Sequence, residues 1–100
     1  GLEAMIEKPL VFGDKSAVAI ADFVNLTGDS ITADIFAVLY DENGNMKDVS
    51  LKKGEQILPQ SSTKLFELEN VASGDVIKII TVESSTLAPL CKYAEKKAVK

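Results

Sequence analysis

Asp41, Asn43 and Asn45 stand two residues apart in the stretch "DENGN", oxygen-bearing side chains at the spacing that opens a calcium loop. A loop of the EF type also needs Gly at its sixth position, an apolar residue at the eighth and a bidentate Glu at the twelfth. Counted from Asp41, those positions hold Met46, Asp48 and Lys52, so a cation occupies the place of the strongest ligand. The same residues read directly as a turn. Asp is favoured at the first position of a type I turn, Gly fits the residue that must go left-handed, and five-residue hairpin loops are built this way. The expectation is a hairpin turn and no metal site.

Asp22 and Asp34 are the second candidates, each lying inside an otherwise apolar run. If their strands formed one hairpin around Gly28, the two carboxylates would face each other, repel, and offer a cation site or a glycosidase-like acid pair. The alternative is that both point to solvent from different sheets, and sandwich topology favours it because consecutive strands often go to opposite sheets. Nucleophilic chemistry has little to work with. Ser61, Ser62, Ser84 and Ser85 have no histidine to activate them, since the chain contains none. Cys91 is the single cysteine, too few for an internal disulfide or a zinc site, and reads as a small buried hydrophobe. No catalytic residue, metal or cofactor is expected.

The elements that carry these residues have a β texture. Runs rich in Val, Ile, Phe and Thr are broken at short intervals by Gly, Asp, Asn or Ser. The expected strands are 5–12 with a kink or edge marked by Pro9, then 17–25, 31–40, 46–53, 55–61 interrupted by Pro59, 63–69 and 75–83. The run at 31–40 is the longest and most apolar and belongs mid-sheet. The lysines of 46–53 suit an edge, and Gly54 is expected to break that strand. The pair Gly-Asp at 13–14, 28–29 and 74–75 is turn chemistry used three times. Residues 84–90 could hold one helical turn stopped by Pro89. About seven short strands with closely spaced turns give an all-β chain, an Ig-like antiparallel β-sandwich spanning 1–91, with 92–100 as a Lys-rich tail or linker.

Composition narrows the partners. The net charge is −4, but the last nine residues carry +3 and the first 91 carry −7. All eleven basic residues are Lys. An acidic body without arginine argues against nucleic acid. The apolar runs are far shorter than the ~20 residues that cross a bilayer as a helix, so membrane insertion is not expected. The chain begins at Gly1, which fits a cloning scar or a segment cut from something longer. "LPQSS" lacks the Thr and Gly of a wall-sorting signal and reads as a strand bend. "NLT" at 25–27 fits a glycosylation sequon and points to an exposed loop. The aromatics do not form a carbohydrate platform by pattern, the Phe residues falling within strand patterns as core. One surface candidate remains: Phe36, Val38 and Tyr40 share a strand face by period two.

From Asn25 onward the order "VNLTGDSITADIFAVLYDENGNMKDV", a polar stretch, then "VIKIITVESSTLAPL", resembles the Ig-like or fibronectin-III-like accessory modules of large secreted and surface proteins of Gram-positive bacteria. Tyr40, Asp41 and Gly44 match the pattern's central element, with Met46 at its Leu position. Lys78, Ile80, Glu83 and Ser84 match the last strand, and Leu87, Pro89 and Leu90 the closing element. Val82 stands where the pattern has Trp, and Ser85-Thr86 adds a residue before Leu87. The resemblance covers about three-quarters of the chain. It implies a non-catalytic, extracellular or cell-surface module that spaces or presents neighbouring domains of a parent protein. The alternative is a module binding carbohydrate or another protein through the strand face near Tyr40.

Overall fold

The computed structural model describes residues 1–12 and 15–99, with residues 10–12 described by backbone alone. The described residues form eight strands: β1 (Leu2–Ile6), β2 (Leu10–Phe12), β3 (Ser16–Asn25), β4 (Ile31–Tyr40), β5 (Met46–Ile57), β6 (Gln60–Leu68), β7 (Val76–Glu83) and β8 (Ala94–Lys97). They form two antiparallel sheets. In the first, β1 and β2 pair in succession along one edge of β3, and β6 pairs along the other. In the second the order is β5-β4-β7-β8. Since β1 and β2 occupy one lateral position, three strand positions face four, and the expected all-β sandwich is the observed architecture.

Strict alternation builds the core. Along β3, Ala17, Ala19, Ala21 and Phe23 point inward; along β4, Ala33, Ile35, Ala37 and Leu39 do. They meet Ile57, Phe66, Leu68, Ile77 and Ile79 from the other strands. The alanines let the two sheets approach closely, and Phe23 and Phe66, essentially fully buried, fill the width left over. Burying each ring removes enough apolar surface from water to contribute roughly 1.5–3 kcal/mol. Lys52 reaches over the Phe66 ring, 5.5 Å from its centroid, and so shields the core at the margin where β5 passes β6.

Two local expectations need correction. Gly54 does not end its strand. It adopts φ of +61° in a bulge where Lys53 and Gly54 together stand opposite Asp34, and β5 runs on to Ile57. The bulge turns the Gly54 N–H away from the ladder, and the Asp34 carboxylate accepts it instead. The Lys-rich segment expected as a tail or linker at 92–100 is ordered in its described part: Ala94–Lys97 form β8 on the edge of β7, and Ala98 is buried. The reason lies at a distance in sequence. Gly74 N–H donates to the Ala98 carbonyl and Ala98 N–H to the Asp75 carbonyl, so a turn twenty-odd residues earlier holds the segment in place. Residues 84–90 hold one hydrogen-bonded turn, Leu87 N–H to Glu83 carbonyl, with Leu87 left-handed, and the chain then bridges back as Pro89 meets Val82. The Gly-Asp turns at 28–29 and 74–75 both carry a glycine with positive φ. The pair at 13–14 lies outside the described residues.

Candidate functional site

The loop from Asp41 to Asn45 closes the β4–β5 hairpin. Asp41 Oδ1 accepts the N–H groups of Asn43 (2.8 Å) and Asn45 (2.9 Å), and Asn45 Nδ2 donates to Oδ2 at 3.2 Å. Gly44 N–H closes the turn onto the Asp41 carbonyl with φ of +84°. The backbone bond from Asn45 leads in holding the Asp41 carboxyl below the usual carboxylate range. The carboxylate is turned in on its own loop, the hydrogen bonding of a hairpin turn.

Asp22 and Asp34 sit in different sheets and do not meet. Asp34 is not turned to solvent: it is buried, and its Oδ1 accepts both Gly54 N–H (2.9 Å) and Ser84 Oγ–H (2.8 Å). These bonds, Gly54 first, hold its carboxyl below the ordinary range. It ties β4, the bulge and the turn after β7 together. Asp22, half-buried on the outer face of the first sheet, accepts a bond from Thr63 Oγ at 2.8 Å and faces Glu7. A hydrogen bond with Asp22, then its charge, raises the Glu7 carboxyl above its usual value. A pair of neighbouring carboxylates thus exists, but with a partner that strand pattern did not suggest. Among the described residues, no group of three or more His, Cys, Asp or Glu gathers to hold a metal.

Two other singled-out positions have structural roles. Asn25 of the sequon is buried rather than displayed; Nδ2 donates to the carbonyls of Asp29 (2.8 Å) and Ile57 (3.1 Å), while Oδ1 accepts from Thr27 N–H (3.0 Å) and Oγ–H (2.7 Å). The loop 26–30 after it is exposed. Cys91 is half-buried; burial pushes its thiol up, offset in part by the nearby Thr81 hydroxyl, a buried group without a hydrogen-bond partner among the described residues.

The surface candidates lie together on the outer face of the four-stranded sheet. Phe36 and Tyr40 are half-buried there and Val38 is buried, 4% exposed. The registers extend this face across the sheet. Leu51, Phe36 and Ile80 form one cross-strand row; Val49, Val38, Lys78 and Glu95 the next; Met46, Tyr40, Val76 and Lys97 a third. Lys78 Nζ sits over both the Tyr40 ring (5.1 Å from its centroid) and the Tyr93 ring (4.9 Å). A cation held against two aromatic faces is stabilised by their quadrupoles. Period-two reasoning on one strand found Phe36, Val38 and Tyr40 but missed Val49, Leu51, Lys78, Ile80 and Tyr93. A signal was available in β7, whose sequence VIKIITVE, like that of β4, carries apolar residues on both faces rather than at every second position alone.

No known family profile matches the chain, and no curated protein does. Among solved structures, it is similar to a calcium binding mutant of Bacteroides uniformis beta-glucuronidase 2, with a TM-score of 0.56 and 12% identity over 97% of this chain. It is also similar to a beta-glucosidase from Kluyveromyces marxianus, with a TM-score of 0.53 and 18% identity over all of this chain. At these identities the likeness is one of fold. This chain spans only 12% and 14% of those two chains, so the fold it adopts occurs there as a small all-β part of a much longer enzyme.

Proposed function

We propose that the chain is a non-catalytic β-sandwich module of a larger extracellular or cell-surface protein, acting as a spacer or interaction domain for its neighbours. The observation that carries the reading is the coverage: nearly the whole chain matches 12–14% of two long chains. The three-against-four strand arrangement supports a fibronectin-III-like form of the sandwich. The site geometry supports a structural role for the acidic residues, since the Asp34 carboxylate is held by Gly54 N–H and Ser84 Oγ–H and that of Asp41 by Asn43 and Asn45 N–H. Catalysis without histidine would fall to perturbed carboxylates. The experiment is to assay the pure chain against chromogenic glycosides and peptides, and reproducible turnover abolished by Asp22→Asn or Glu7→Gln would overturn the reading.

A second reading is a carbohydrate- or protein-binding module using the face near Tyr40. One observation favours it: Tyr93 stands 48% exposed beside Tyr40, with Lys78 between the rings. A glycan array with no signal for the pure chain removes the carbohydrate version.

A further inference from the structure

We propose that the outer face of the β5-β4-β7-β8 sheet is the docking face for a neighbouring domain of the same polypeptide, one that presents apolar surface to it. The proposal rests on the module reading above and adds where the contact lies and what it must look like.

The face is built to be covered. An antiparallel sheet that meets water on one side alternates apolar with polar residues. Here the outward positions of the three adjoining strands are Met46, Val49 and Leu51 on β5, Phe36, Val38 and Tyr40 on β4, and Val76, Lys78 and Ile80 on β7. Lys78 is the one charge among these nine, and the exposed members are not marginal: Met46 is 62% exposed, Val49 48% and Leu51 45%. The opposite outer face is the contrast. Three of its rows mix in polar groups, Glu3 with Val24 and Ser61, Met5 with Asp22 and Thr63, and Val18 with Glu67, while the Ile20–Leu65 row is apolar. The face across β5, β4 and β7 is thus the drier of the two, with Glu95 and Lys97 of β8 at its margin.

The size of the face selects the occupant. Three strands about 4.8 Å apart and three rows about 6.8 Å apart give an apolar footprint of roughly 300 Å². A stable complex between free proteins needs about 800 Å² from each partner, so a second copy of this chain is poorly served. Contacts between domains of one chain begin near 600 Å² in total, about 300 Å² a side, because tethering supplies an effective concentration in the millimolar range. The footprint fits a tethered domain.

Charge completes the description. Among the described residues, Lys78 makes no ion pair and rests only on the two tyrosine rings. Covering the face takes this cation out of water, and Glu95, opposite Lys78 on β8, stands where its carboxylate can pair with it.

The test uses two cysteines of matched exposure in the polypeptide encoded by the whole gene, with Cys91→Ser as background. Val49→Cys reports the proposed face, and Leu65→Cys, which is 54% exposed in this chain, reports the other sheet. Maleimide labelling under native conditions is expected to be at least tenfold slower at Val49→Cys than at Leu65→Cys, with the two rates converging in urea. In the 100-residue chain alone, the two rates are expected to be alike and sedimentation to give a monomer. Equal native rates in the longer polypeptide would overturn the docking face while leaving the module reading intact. Protection of Val49→Cys in the short chain together with a dimer mass would overturn it in favour of a second copy. A gene encoding no further domain would overturn the module reading itself.

Discussion

Replacing Asn25 by Ala tests the idea that this residue joins the two sheets. Its side chain is 1% exposed and makes four hydrogen bonds, including one to Ile57 at the far end of β5 in the other sheet. Removing it deletes all four and leaves the Ile57 carbonyl without this buried donor. Net worth is about 1 kcal/mol per bond, and stranding a buried acceptor costs about 1–3 kcal/mol. Some of the four groups lie near the exposed loop and will recover bonds to water, so the expected loss is about 3 kcal/mol. That is a large share of the roughly 5–15 kcal/mol that holds a domain together. For a chain this size each kcal/mol moves Tm by about 4–8 °C, giving a fall of roughly 12–24 °C. Calorimetry measures the fall, and urea unfolding checks that the transition stays two-state. Asn25→Asp separates hydrogen bonding from packing because the shape is kept. At pH 7 it places a carboxylate against two carbonyl oxygens and should cost at least as much as Ala. That carboxyl's folded pKa is expected to rise above its unfolded value, so its penalty should shrink as pH falls through the folded value. A loss below about 1 kcal/mol for Asn25→Ala, or an Asn25→Asp chain as stable as the parent at pH 7, would refute the reasoning.

Acid should destabilise the fold through Asp34 and Asp41, whose folded carboxyls titrate below their ordinary values. Their contribution is present above the unfolded carboxylate range and is lost as pH falls through the folded one, so Tm should drop below about pH 4. Asp34→Asn should flatten that acid limb in a Tm–pH series. Glu7, held above its usual value by Asp22, works in the opposite sense, and Glu7→Gln should raise Tm more at pH 7 than at pH 4. Gly74→Ala should lose about 1–2 kcal/mol by urea unfolding, since its φ of +94° disfavours a side chain and a Cβ would run into Glu42 Oε1. Adding Glu42→Ala should restore only the part due to that collision. Truncation after Cys91 removes β8 and Ala98 and should lower Tm by at least about 10 °C, corresponding to about 2 kcal/mol; an unchanged Tm would return this segment to the status of a tail.

Local chemistry was legible without coordinates. The Asp41–Asn45 turn needs only Asp to bond its own backbone and Gly to go left-handed, and both are properties of neighbouring residues. Strands β3, β4 and β7 follow from apolar runs rich in β-branched and aromatic residues over eight to ten positions. Their shortness and number carried the antiparallel sandwich with them, because no interval leaves room for crossover helices.

Register and long-range pairing decided the rest. Ala94–Lys97 has helix-forming residues and little apolar surface, yet it is a strand because β7 offers an open edge and the Gly74-Asp75 turn bonds to Ala98. Gly54 looked like a strand end, and only the Asp34 carboxylate across the sheet turns it into a bulge. Asp22 found Glu7 rather than Asp34 because their strands went to different sheets. Phe36, Val38 and Tyr40 were visible as one strand's stripe, but the broad face they belong to depends on which residues of β5 and β7 stand beside them. Pattern along a chain reports what each residue wants next to it; the tertiary fold decides which distant residue arrives there.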